Sequence, residues 1–89
     1  MKKKIYSLEA LGQVISKIKK KSKTVVLCHG VFDLLHVGHI KHLKKAKALG
    51  DKLVVTLTAD NFVNKGPGKP IFNQKLRAEA IASLEMVDF

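Results

Sequence analysis

The fold of this chain is decided by residues 30–39, which read GVFDLLHVGH. The apolar stretch directly before them, residues 23–28, predicts a buried strand, and residues 40–49 predict a helix. A glycine-containing turn therefore leads from a strand into a helix, where exposed amide N–H groups and the positive end of the helix dipole favour phosphate. His36 and His39 at the helix start add donors that can stabilise charge on a reacting phosphoryl group. The stretch predicts a phosphate-handling centre.

The rest of the chain predicts an α/β fold: a Rossmann-like parallel sheet with flanking helices, present as its N-terminal portion, a βαβ core plus a leading helix. Strand, helix and strand with short joins imply parallel strands. Ser7 and Asn73 are predicted to cap helices, and Gly50 to end one. We expect a single, incomplete domain over residues 1–89. The predicted elements are a helix at 8–20, a strand at 24–28, a helix at 37–49, a strand at 52–58, a loop at 59–72, a helix at 73–84 and the opening of a third strand at 87–89.

Composition indicates a small globular protein and narrows its partners only in part. Of 89 residues, 46% are hydrophobic and 27% are charged, which is typical of a folded domain. The sequence has no run of the roughly 20 apolar residues that cross a membrane, and Cys28 has no disulfide partner in the chain. We therefore expect a cytoplasmic protein. The net charge of +10 favours anionic partners without choosing among nucleotides, phosphosugars, nucleic acid and membrane surfaces.

A family resemblance becomes visible when the motifs are taken together. His36-x-Gly38-His39 is the signature of the nucleotidyltransferase superfamily. The preceding Gly-x-Phe-Asp, with no proline before the first histidine, resembles its cytidylyltransferase-like branch. The order of the later motifs is similar to heptose-phosphate adenylyltransferase domains and to glycerol-3-phosphate cytidylyltransferase. Those later motifs are residues 43–51, Asp60, Lys65-Gly66, Lys69-Pro70 and Arg77.

The resemblance implies transfer of a nucleoside monophosphate from ATP or CTP to a phosphorylated sugar or polyol, with release of pyrophosphate. Mg²⁺ is expected to accompany the triphosphate. Gly38 is expected to let the triphosphate approach the backbone, and Asp33 to order the turn through local backbone hydrogen bonds. The implied catalytic residues are His36, His39 and Lys47, the last because it matches a commonly basic position. The implied nucleotide-binding residues are Gly30, Val31, Phe32, His36, Gly38, His39, Lys65 and Arg77.

Alternatives stay open because family members continue into a second phosphate motif that this sequence does not match. We expect the first part of a longer or bifunctional enzyme, paired with a second copy or a complementary chain. A catalytically incomplete nucleotide-binding or assembly module is one alternative. A basic nucleic-acid-binding module is another, although no aromatic platform supports it. No metal site is predicted, because imidazoles at His36, His39 and His42 diverge around a helix. The choice between ATP and CTP, and a binding role for His29, are left open.

Overall fold

A computed structural model describes residues 4–62 and 72–89 of the chain. Two parallel strands pair in register, from Val25 opposite Lys52 to Gly30 opposite Leu57. No helix within the two described ranges is long and apolar enough to cross a membrane. The α/β fold with its βαβ core and leading helix is confirmed. The elements are α1 Leu8–Lys20, β1 Val25–Gly30, α2 Val37–Lys47, β2 Lys52–Leu57, a 3₁₀ turn Asp60–Phe62 and α3 Gln74–Ala82.

Polar side chains begin two of the helices, as the sequence predicts. The Ser7 hydroxyl accepts a hydrogen bond from the Ala10 N–H (3.2 Å), and the Asn73 side chain accepts one from the Leu76 N–H (2.9 Å). Each bond satisfies an amide that has no partner within its own helix. Both predicted caps are therefore confirmed.

The end of α2 differs from the prediction. The helix stops at Lys47 with Ala48 as its cap, so the prediction that Gly50 caps it is wrong. Gly50 is required for another reason, because its backbone passes close to the edge of β1. A Cβ at this position would lie 2.8 Å from Val26 Cγ2 and 3.2 Å from the Thr24 carbonyl oxygen.

The core lies on the face of the sheet that α2 and α3 cover. Leu43 of α2 and Leu53 of β2 are fully buried, and they form one cluster with Ala46, Ile81 and Val87. Burying a leucine side chain contributes about 1.5–3 kcal/mol, so these contacts hold α2 firmly against the sheet. Because both signature histidines stand at the start of α2, the core also fixes their position.

The predicted third strand begins beside β2, on the side away from β1. The Val55 N–H donates to the Phe89 carbonyl (2.9 Å), and the Phe89 N–H donates to the Leu53 carbonyl (3.2 Å). This pattern is that of a parallel pair, with Phe89 opposite Val54. Residues 87–89 do not yet form a regular strand.

Candidate active site

The β1–α2 loop forms one side of an open depression at the carboxyl end of the sheet. The depression has a volume of about 490 Å³, and its lining includes His29, residues 30–34, His36 and His39. Ligands of parallel α/β sheets bind at this end of the strands, where the loops leave the sheet. The structure therefore brings the predicted loop residues and both signature histidines to one surface.

The loop is held in a strained conformation. Phe32 and Leu34 both have a φ angle of 51°, in the left-handed region that residues with a side chain seldom adopt. This conformation folds the Phe32 ring back over Gly30, where an added Cβ would lie 2.9 Å from Phe32 Cε2. Gly30 is therefore needed to seat that ring. Backbone strain of this kind costs on the order of 1–3 kcal/mol per residue and persists only where neighbouring contacts enforce it.

The two signature histidines bond to the backbone of their own helix turn. His36 caps α2, and its Nδ1 accepts from the Gly38 N–H (3.0 Å). The His39 Nδ1 in turn accepts from the His36 N–H (3.2 Å). The ring centroids lie 4.0 Å apart. Because a neutral imidazole that accepts at Nδ1 carries its proton on Nε2, both rings present an Nε2–H donor.

Gly38 makes room for the His36 ring, and its expected role of admitting the triphosphate to the backbone stays a prediction. A Cβ at Gly38 would lie 2.7 Å from Cε1 of the His36 ring. The absence of a side chain at this position therefore lets the imidazole fold onto the first helix turn. Gly38 orients a donor, which a sequence pattern does not reveal.

Arg77 lies beneath the loop, with its side chain fully buried. Its guanidinium donates to the Val31 carbonyl (2.9 Å), the Phe72 carbonyl (3.0 Å) and the Asp60 carboxylate (2.5 Å). The prediction that Arg77 binds nucleotide phosphate is corrected by this arrangement, because protein acceptors surround the guanidinium. Arg77 instead joins the loop to the beginning of α3.

Two carboxylates complete this network. The Gln74 backbone N–H, followed by the Arg77 guanidinium, holds the pKa of Asp60 below its ordinary value of 3.8. The Asp33 carboxylate accepts from the Phe72 N–H (3.0 Å), so it ties the loop to a distant segment as well as occupying the turn. Together these bonds enforce the strained loop. Lys65, predicted to bind nucleotide, lies outside the described residues.

Lys47 lies at the other end of α2 from the histidines. The helix has 11 residues and is therefore roughly 16 Å long. The Lys47 ammonium pairs with the Asp88 carboxylate (2.6 Å) and donates to the Asp51 carbonyl (2.8 Å). The predicted catalytic role of Lys47 is corrected: the structure does not bring this residue to the site.

The electrostatics of the Lys47–Asp88 pair are those of a structural contact. Burial alone would raise the pKa of Asp88. The hydrogen bonds from the Lys47 ammonium and the Leu53 N–H together outweigh this effect, so the pKa lies below its ordinary value of 3.8. Within residues 4–62 and 72–89, no three histidine, cysteine or acidic side chains come together as metal ligands.

Sequence reasoning overlooked the surroundings of His29. Its ring contacts Thr56 and Thr58 at the ends of the strands. A parallel pairing that begins with Val25 opposite Lys52 places His29 opposite Thr56, so a register assignment would have found half of this contact.

Comparisons with known proteins find a matching family and similar sequences. The family model described as cytidylyltransferase-like matches residues 27–88. The bifunctional protein HldE of Syntrophotalea carbinolica is 43% identical over 88 residues, and that of Geotalea uraniireducens is 44% identical. The match covers 97% of this chain but only 18% of each relative.

A solved structure is also similar. The lipopolysaccharide core biosynthesis protein from Thermoplasma volcanium superposes with a TM-score of 0.69 and 42% identity. The superposition covers 74% of this chain and 54% of that one. At this level of identity, the likeness extends beyond the general architecture of the sheet.

Proposed function

The chain belongs to the cytidylyltransferase-like family, and we propose that it transfers a nucleoside monophosphate from ATP or CTP to a phosphorylated sugar or polyol, releasing pyrophosphate. The observation that carries this proposal is the pair of Nε2–H donors on His36 and His39, whose rings line the depression beyond β1. The names of the relatives support a sugar-related acceptor, since one acts in lipopolysaccharide core biosynthesis.

The reaction needs no covalent intermediate on the protein. An oxygen of the acceptor phosphate attacks the α-phosphorus, a new P–O bond forms, and the bond to the bridging oxygen of pyrophosphate breaks. Negative charge grows on the α-phosphate and on that bridging oxygen. Two rigidly held N–H donors can stabilise this charge. Removing one donor of this type lowers the rate by about 10²–10³.

The network beneath the loop supplies the positioning. Arg77 holds the Val31 carbonyl, and Asp33 holds the Phe72 N–H, so two separate bonds keep the loop in its left-handed turns. A donor fixed in this way needs no reorganisation when charge develops, which is why preorganised sites are effective.

The remaining substrates and partners belong to the same proposal. Mg²⁺ would neutralise the triphosphate and be held by its oxygens. Lys65 would add positive charge to the triphosphate. Placement in the cytoplasm and pairing with a second copy or a complementary chain are further parts of the proposal.

The test measures binding and turnover separately. Isothermal titration with ATP and with CTP gives the nucleotide preference. Pyrophosphate release is then followed with a heptose phosphate and with glycerol 3-phosphate. The variants are His36→Ala and His39→Ala. Gln13→Ala serves as the control, because it removes an exposed, uncharged polar side chain of α1 that does not line the depression.

Three outcomes are informative. Turnover that depends on His36 and His39 but not on Gln13 supports the transferase. Nucleotide binding without turnover supports the alternative, a catalytically incomplete nucleotide-binding module. Equal nucleotide binding with and without the two signature histidines would overturn the phosphate site itself.

A further inference from the structure

His29 is a polar residue at the site that the proposed reaction does not use. It stands one residue before the end of β1, its side chain is exposed, and it lines the same depression as His36 and His39. An exposed histidine on a strand is often no more than a solvated surface residue. Its contacts set this one apart.

Both ring nitrogens of His29 face threonine hydroxyls. Nδ1 lies 2.7 Å from the Thr56 hydroxyl, and Nε2 lies 3.4 Å from the Thr58 hydroxyl. The Thr58 N–H donates to the Gly30 carbonyl (3.0 Å), which places this threonine directly beside the β1–α2 loop. The three side chains therefore form a polar cluster at the carboxyl ends of both strands.

The cluster has the chemistry of a weak anion site. The ring N–H of His29 is directed at one threonine hydroxyl, and that hydroxyl, having accepted it, can still donate its own hydrogen to an oxyanion. Such donors orient a phosphate through hydrogen bonds and leave the charge on its oxygens available.

The reaction requires a second phosphate site close to the first. In-line attack needs the acceptor oxygen about 3–3.5 Å from the α-phosphorus, so the acceptor phosphate must bind beside the triphosphate. A lysine in this position would neutralise the attacking oxygen and weaken it as a nucleophile. A threonine hydroxyl, which carries no charge, holds it without that cost.

We propose that His29, Thr56 and Thr58 bind the phosphate group of the acceptor. The proposal rests on the proposed function, and it places the acceptor phosphate where His29 lines the depression, with the two threonines behind its ring. His36 and His39 face the triphosphate, and the His29 cluster faces the phosphorylated sugar or polyol.

The experiment compares two ligands on the full chain. Dissociation constants for ATP or CTP and for glycerol 3-phosphate, with inorganic phosphate as a second probe, are measured by titration. Histidine side-chain ¹⁵N shifts identify the ring that responds. The variants are His29→Ala and Thr56→Val, and the control is Gln13→Ala, which removes an exposed side chain outside the depression. His29→Gln, which restores an N–H donor, is the rescue variant.

We expect His29→Ala to weaken glycerol 3-phosphate and inorganic phosphate at least tenfold, and to change nucleotide affinity less than twofold. Thr56→Val should weaken the same two probes by a smaller factor, and His29→Gln should recover part of the loss. In turnover, the KM for the acceptor should rise more than kcat falls. A purely structural role would not separate the two ligands in this way.

Other results overturn the inference. Unchanged phosphate affinity in both His29→Ala and Thr56→Val excludes the cluster as the acceptor site. If these variants lose nucleotide affinity while phosphate affinity is unchanged, the cluster binds the triphosphate and not the acceptor. If no nucleotide binds but inorganic phosphate still binds through His29, the proposed function fails while the phosphate site stands.

Discussion

The two ends of α2 use polar side chains in opposite ways. At the amino end, His36 and His39 accept backbone N–H groups at Nδ1 and keep an Nε2–H donor each. At the carboxyl end, the Lys47 ammonium is engaged by the Asp88 carboxylate and the Asp51 carbonyl. The amino end therefore has donors that can bind a ligand, and the charge at the carboxyl end pairs with groups of the protein itself. The comparison shows that a basic side chain on the helix that carries the histidines need not belong to the site.

The largest difference is expected when a donor is removed from each end. His39→Ala should lower kcat by about 10²–10³, because one preorganised donor to the reacting phosphate is lost. Lys47→Ala should leave kcat per folded molecule within a factor of two. Steady-state pyrophosphate release, normalised to the folded fraction from circular dichroism, makes the measurement. A comparable kcat loss in both variants would remove the distinction between the ends.

Loss of the buried guanidinium should have the largest effect on stability. Arg77→Ala deletes three hydrogen bonds and leaves the Val31 and Phe72 carbonyls without their donor. We expect about 3 kcal/mol of destabilisation, measured by urea unfolding. Arg77→Lys keeps the charge but cannot reach three acceptors, so it should recover less than half of the loss. Full recovery by lysine would show that charge alone matters here.

A glycine lies near each end of α2, and the two should respond differently to alanine. Gly38→Ala places a Cβ against the His36 ring, so it should lower kcat about tenfold by misaligning a donor. Gly50→Ala meets Val26 and the Thr24 backbone, so it should destabilise by about 1–3 kcal/mol with kcat unchanged. Kinetics and thermal unfolding of both variants check the pair. A loss of kcat in Gly50→Ala, or a loss of stability with kcat unchanged in Gly38→Ala, would contradict this prediction.

The smallest effect is expected from the ion pair at the carboxyl end. Asp88 is deprotonated more readily in the folded than in the unfolded chain, since its pKa is lowered. Its stabilisation is therefore complete above about pH 5 and is lost as the pH falls through the folded pKa. Lys47→Met should cost about 1 kcal/mol at pH 7 and flatten this acid decline.

Unfolding of wild type and Lys47→Met at pH 7 and near pH 3 measures this difference. Asp60, whose pKa is also lowered, contributes a decline of the same sign to both proteins. A slope that is equal in the two proteins would show that the Lys47 contact does not stabilise the charged form of Asp88.

Most of the secondary structure could be predicted because its causes are local. Apolar spacing predicts α1 over residues 8–20, and the structure has Leu8–Lys20. Ser7 and Asn73 bond to amides three residues later, so their role as caps is visible in the sequence. The boundaries of α2 and β1 were off by two residues, because a strand end and a helix end depend on what packs beside them.

The βαβ order and the position of the β1–α2 loop with its two histidines could be predicted from the amino-acid sequence. Those features follow from patterns within a few residues. The roles of Arg77, Lys47 and Asp33 were decided only by the tertiary structure. Their partners lie 46, 41 and 39 positions away, at Val31, Asp88 and Phe72. A charged side chain binds a ligand or another part of the chain according to which acceptor the packed fold brings within reach, and no local pattern contains that information.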